Sequence, residues 1–125
     1  MDDFWSDADV ICTYSRAQAI EDGVLVDANA GDFAEVTRQH FKVPVAMTAG
    51  VFSLIENAVK GRSGCDYKGV WHDICWIAKT TGQRSNGSDI HFRVLIAGRL
   101  RDLWCRCGPG DTLDPVLTFM CEGED

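Results

Sequence analysis

Ile90-His-Phe-Arg-Val-Leu-Ile96 is the point at which the chain changes period. Ile90, Phe92, Val94 and Ile96 alternate with His91, Arg93 and Leu95, as in a strand with one buried face and one open face. Downstream, Leu103 to Cys107 and Val116 to Cys121 flank Gly108-Pro109-Gly110-Asp111, a turn-rich connector suited to antiparallel strands. Upstream the apolar residues recur at helical spacing instead. Helices first and sheet last is the order of an α+β domain rather than a doubly wound one.

The helices can be placed by their ends. Ser15 with Gln18 makes a capping-box pattern before Arg16 to Asp22, and Gly23 is suited to the left-handed stop. Val24-Leu25-Val26 is β-prone. Asp32 with Glu35 repeats the capping pattern ahead of Phe33, Val36 and Phe41. Val43-Pro44-Val45 breaks that helix, because the residue before a proline is driven out of the helical region. Thr48 can cap the next one, in which Val51, Phe52, Leu54, Ile55, Ala58 and Val59 share helical spacing and Gly61 follows as a stop. Residues 61–69 read as a loop, and Val70, Trp71, Ile74, Ile77 and Ala78 predict a fourth helix ending near Gly82. The expectation is about four short helices in the first two thirds of the chain, then a three-stranded, mainly antiparallel sheet. Extra short strands are expected near residues 10–14 and 24–27.

With 125 residues, 46% of them hydrophobic and 25% charged, residues 1–125 are expected to form one domain with one core. The opening Met1-Asp2-Asp3-Phe4-Trp5-Ser6-Asp7 is not a basic region followed by an apolar run, and no apolar stretch approaches the roughly 20 residues of a membrane span. A cytoplasmic chain is therefore expected, with its six cysteines (Cys12, Cys65, Cys75, Cys105, Cys107 and Cys121) held as thiols.

The net charge of −7 is unevenly spread. Residues 1–35 hold nine acids against Arg16, residues 36–106 hold eleven bases against five acids, and residues 107–125 hold five acids and no base. Two binding surfaces follow from that distribution. Asp2, Asp3, Asp7, Asp9, Glu21, Asp22, Asp27, Asp32 and Glu35 can present carboxylates to a basic protein surface, with Phe4 and Trp5 as apolar anchors. Alternatively Arg84, Arg93, Arg99, Arg101 and Arg106, beside Trp104, can meet nucleic acid. The overall sign of the charge favours the first.

Catalytic, metal and cofactor readings have less behind them. Cys105-Arg-Cys107 and the His72, Cys75 pair match no zinc-ribbon spacing. In Trp71-His72-Asp73, consecutive helical residues point about 100° apart, so base and acid do not face each other. Gly82-Gln-Arg-Ser-Asn-Gly87 lacks the lysine of a phosphate-binding loop. No catalytic residue, metal ligand or cofactor is assigned.

Asp9-Val-Ile-Cys-Thr-Tyr14-Ser-Arg-Ala-Gln-Ala-Ile20-Glu-Asp-Gly-Val-Leu-Val-Asp27 resembles the opening of a small family of unknown function found in phages, plasmids and other mobile elements of bacteria. Lys42-Val-Pro-Val-Ala46, Cys107-Gly-Pro-Gly-Asp111 and Pro115-Val-Leu-Thr-Phe-Met120 resemble its middle and closing segments. Cys121-Glu-Gly-Glu-Asp125 and the cysteines at 105 and 107 depart from the pattern. The resemblance carries no catalytic residue. It implies a setting, that of small acidic proteins that inhibit a host defence complex, a CRISPR effector or a restriction enzyme, by binding it in the bacterial cytoplasm. The rivals are an accessory nucleic-acid-binding protein and a Cys/His metal or thiol enzyme.

Overall fold

The computed structural model describes residues 15–61, 64–84, 89–112 and 114–122. Among them run α1 (Arg16–Glu21), β1 (Leu25–Asp27), a 3-10 turn (Gly31–Phe33), α2 (Ala34–His40), β2 (Val45–Thr48), α3 (Ala49–Lys60), α4 (Tyr67–Gly82), β3 (Asp89–Ile96), β4 (Arg99–Pro109) and β5 (Pro115–Cys121). The α+β class stands. The sheet is larger than the three antiparallel strands expected: it has five strands in the order β1-β2-β5-β4-β3. It is also mixed, since β2 runs parallel to β5 while the other neighbours are antiparallel. The added strands are β1, at the expected 24–27, and β2, which follows Pro44 where the sequence signalled no more than a helix break. The short strand expected near residues 10–14 lies outside the described residues.

Local chemistry explains most helix ends. The Ser15 hydroxyl accepts the Gln18 N–H at 3.0 Å, and Gly23 takes φ +81° beyond the end of α1. Thr48 caps α3 by accepting the Val51 N–H at 3.3 Å. Two expectations need correction. Asp32 does not cap α2: it sits within the 3-10 turn, and Phe33 leads into the helix with no side-chain cap. The stretch 61–69 is not all loop, because α4 starts at Tyr67, where Asp66 accepts the Gly69 N–H at 3.0 Å. A Cβ at Gly69 would come within 2.6 Å of that carboxylate oxygen, so a glycine there lets the cap close.

The core lies between α2, α3 and α4 and one face of the sheet. Val36, Val51, Ile55, Trp71, Ile74 and Cys75 meet Val45, Met47, Phe92, Val94, Leu103, Cys105 and Phe119. Trp71 crosses Phe119 edge-on at a centroid distance of 5.0 Å, and Phe33 crosses Trp71 at 5.8 Å. Ile90, Phe92, Val94 and Ile96 turn inward and His91, Arg93 and Leu95 outward, as their alternation predicts. α1 lies against the other face, where Arg16 reaches Thr118.

Candidate functional site

The hairpin β3–β4 decides what the central arginines can do. Its register sets Arg93 opposite Asp102 and Arg106 opposite Asp89. Arg93 Nε donates to Asp102 Oδ1 at 2.8 Å, and Arg106 Nε to Asp89 Oδ1 at 3.0 Å. The hydrogen bond to Asp102, then its charge, holds the Arg93 guanidinium protonated even more firmly than usual. Between these pairs stands Trp104. The His91 ring stacks on it at 5.1 Å and 11°, the Arg106 guanidinium lies 4.7 Å from its centroid, and its Nε1–H donates to the Cys121 carbonyl at 3.1 Å. Arg99 and Arg101 pair with Ile96 and Val94 and so belong to the opposite side of the hairpin. Arg84 follows α4 and is exposed. The five arginines thus do not form one basic surface, and two of them are matched by carboxylates.

A second feature is an open groove of about 720 Å³ between α1, α2 and the start of β2. Its walls carry Arg16, Arg38 and Lys42, the carboxylates Asp27 and Asp111, and the apolar Ile20, Phe41, Val43 and Pro44. Arg16 is fixed in place: its guanidinium donates to Thr118 Oγ1 at 2.7 Å and to the Leu117 carbonyl at 2.6 Å. Burial weakens its hold on the proton, against the opposing pull of Asp111 and Asp27. Asp111, from the β4–β5 turn, accepts the backbone N–H groups of Arg16 and Ala17 at 2.8 and 3.0 Å, which draws its carboxyl below the usual range. Arg38 and Lys42 are exposed on the groove wall.

The third feature is a ring cluster on α2 and α4. His40 lies 4.8 Å from His72 and 6.3 Å from Trp76, which is 51% exposed. Both His40 ring nitrogens are buried and meet no hydrogen-bond partner among the described residues. Burial, then His72 and Lys79, lowers its pKa.

The acidic candidates are spread over several elements. Glu21 and Asp22 end α1, Asp32 lies in the 3-10 turn and Glu35 in the first turn of α2, all exposed. Asp27 is half-buried, accepts the Asn29 N–H at 2.8 Å and faces the groove with Arg16. Glu35 lies 3.5 Å from Lys68. Asp2, Asp3, Phe4, Trp5, Asp7 and Asp9 lie outside the described residues.

The thiols of Cys75 and Cys105 are sealed in the core, where burial pushes that of Cys105 up to about 12 and that of Cys75 higher still. A thiolate is the reactive form, so neither is prepared as a nucleophile. Among the described residues no cluster of three or more His, Cys, Asp or Glu side chains is placed to hold a metal, and no helix is long and apolar enough to cross a membrane.

Arg16, the groove and the ring cluster were not visible as sites in the sequence. Each depends on contacts between distant segments, and the one local trace was Arg16 as the sole base among residues 1–35.

Fold and surface together define a small α+β domain with a charge-matched sheet face and an open groove at the end of its parallel strand pair. The chain belongs to DUF6573, a family of unknown function whose profile it matches over residues 1–68. No curated protein and no solved structure matches it.

Proposed function

We propose that this domain acts by binding a protein, as an inhibitor of a bacterial nucleic-acid-handling defence complex, a CRISPR effector or a restriction enzyme, encoded by a mobile element. The observation that carries the reading is unequal charge compensation. Arg93 and Arg106 are matched by Asp102 and Asp89, whereas Glu21 and Asp32 stand exposed on a chain of net charge −7. Exposed carboxylates speed encounter with a basic groove of the kind that holds nucleic acid, and they repel a polyanion. The mobile-element setting rests on the sequence resemblance.

The test is to purify the tagged chain from bacteria carrying CRISPR and restriction systems and to titrate the purified chain against whichever nuclease co-purifies. Near-equimolar recovery of a defence nuclease, with cleavage falling in proportion to added chain, is the expected result. Undiminished cleavage with the chain in excess would remove the inhibitor reading.

One observation favours a second reading. The Trp104, His91 and Arg106 group, with His91 exposed and the other two half-buried, is the sort of aromatic and cationic surface on which unpaired bases stack. Direct binding to single-stranded nucleic acid would place the function there.

A further inference from the structure

Among the described residues the sheet ends on β3, and no strand pairs with its outer edge. β3 runs in unbroken register with β4, from Asp89 opposite Arg106 to Ile96 opposite Arg99. The two-residue turn Ala97-Gly98, with φ of 51° and 82°, has the type I′ form, which makes Ile96 and Arg99 a doubly hydrogen-bonded pair. Alternation from that pair points the N–H and C=O groups of Ile90, Phe92, Val94 and Ile96 at β4. Those of Asp89, His91, Arg93 and Leu95 point outward. Open edges are commonly guarded by charged side chains, lysine above all, by proline or by a bulge, and the charges that β3 carries, Asp89 and Arg93, are opposite in sign. Asp89–Ile96 contains no proline or lysine, and its pairing is free of bulges.

We propose that this edge pairs antiparallel with β3 of a second copy of the chain, continuing the sheet across a two-fold axis. Keeping both helical layers on one side of the joined sheet requires residues of like orientation to face each other. Among those registers, charge selects the one that sets His91 opposite its own copy. Asp89 then faces Arg93 of the second copy, and the symmetry of the pair makes that contact twice. Across the four strands at the join the row reads Arg106, Asp89, then Arg93 and Asp102 of the second copy, with signs alternating throughout. Sliding the strands by two residues in one direction sets Arg93 against His91, and by four residues in that direction sets Arg93 against Arg93, so both registers lose the match. On the inner face the half-buried Ile90 meets Phe92 of the second copy, which extends the apolar layer.

A strand-edge contact of this length lies at the small end of specific interfaces, so the dimer forms reversibly with concentration. Sedimentation equilibrium over a concentration series tests it, together with hydrogen exchange of the outward amides. The expected result is a monomer–dimer equilibrium with Asp89, His91 and Arg93 amides protected only at high concentration. Asp89→Arg and Arg93→Asp each abolish the dimer, because each sets like charges together at both contacts. Mixing the two variants restores a heterodimer, in which both contacts again pair Arg with Asp. A wild type that stays monomeric at every concentration, a dimer indifferent to both substitutions, or variants that fail to recover association on mixing would overturn the proposal. Circular dichroism of each variant separates loss of pairing from loss of fold.

Discussion

Thr37 is fully buried, and it is the one buried polar residue among those described. Its hydroxyl accepts the Trp71 Nε1–H at 2.9 Å and lies 2.6 Å from the Ala28 carbonyl and 2.9 Å from that of Phe33, so one oxygen joins α2 to α4 and to the end of β1. Valine would fill the space and leave an indole N–H in the core without its acceptor. Thr37→Val is expected to cost about 1–3 kcal/mol. The same change in a Trp71→Phe background should cost less, since the stranded donor is then gone; urea unfolding of the four proteins in the cycle measures the difference. His40 couples stability to pH. Its folded pKa is lowered by burial, then by His72 and Lys79, so the unfolded chain takes up a proton more readily than the folded one. Stability from this group is therefore present above the unfolded value of about 6.5 and is lost as pH falls toward the folded value. Replacing His40 with glutamine should flatten the slope of stability against pH just below about 6.5, as read from unfolding midpoints across a pH series. An unchanged slope would assign the dependence to other groups.

At the scale of elements, the β3–β4 turn is the place where sequence and backbone disagree. Ala97 holds φ 51° and is exposed, a conformation that costs an ordinary L-residue roughly 1–2 kcal/mol and that asparagine tolerates better. Asn-Gly is the preferred pair for a type I′ hairpin, so Ala97→Asn should stabilise the fold by about 0.5–1 kcal/mol with no change in contacts, a gain visible as a raised melting temperature. The same contrast between local and distant causes explains which elements could be read beforehand. Ser15 and Thr48 announce α1 and α3 because a cap and its N–H lie within one turn. Val45-Ala-Met-Thr48 does not announce β2. It is a short apolar run after a proline, and it becomes a strand through its parallel pairing with Leu117 to Phe119, far along the chain. Asp66 was hidden for another reason: Gly-Cys-Asp-Tyr-Lys-Gly has the composition of a loop, and its carboxylate becomes a cap once Trp71 and Ile74 bury the face of α4.

For the whole molecule, the charge blocks were legible in the sequence but their consequence was not, because compensation depends on strand register. Arg93 and Asp102 look unrelated along the chain, as do Asp89 and Arg106, until the hairpin sets each pair face to face. Exposed pairs of this kind add little to stability, because water and salt screen them. Their larger effect is on the field around Trp104, where each arginine is offset by a carboxylate on a chain that is already −7. The chain is therefore expected to bind single-stranded DNA weakly at physiological salt, near the roughly 10⁻⁴ M end of non-specific affinity or beyond it. Asp89→Asn with Asp102→Asn removes two carboxylates, taking the net charge from −7 to −5, and takes from Arg106 and Arg93 the carboxylates they face beside the Trp104 stack. Fluorescence anisotropy of a labelled oligonucleotide should then show binding that strengthens as salt is lowered, in proportion to the phosphates the protein neutralises. If the wild type already binds with a steep salt slope, the aromatic and arginine face is the working surface and protein binding through the carboxylates yields to it. If neither protein binds, the stack on Trp104 serves to stiffen the hairpin, and the partner is to be sought at the exposed carboxylates.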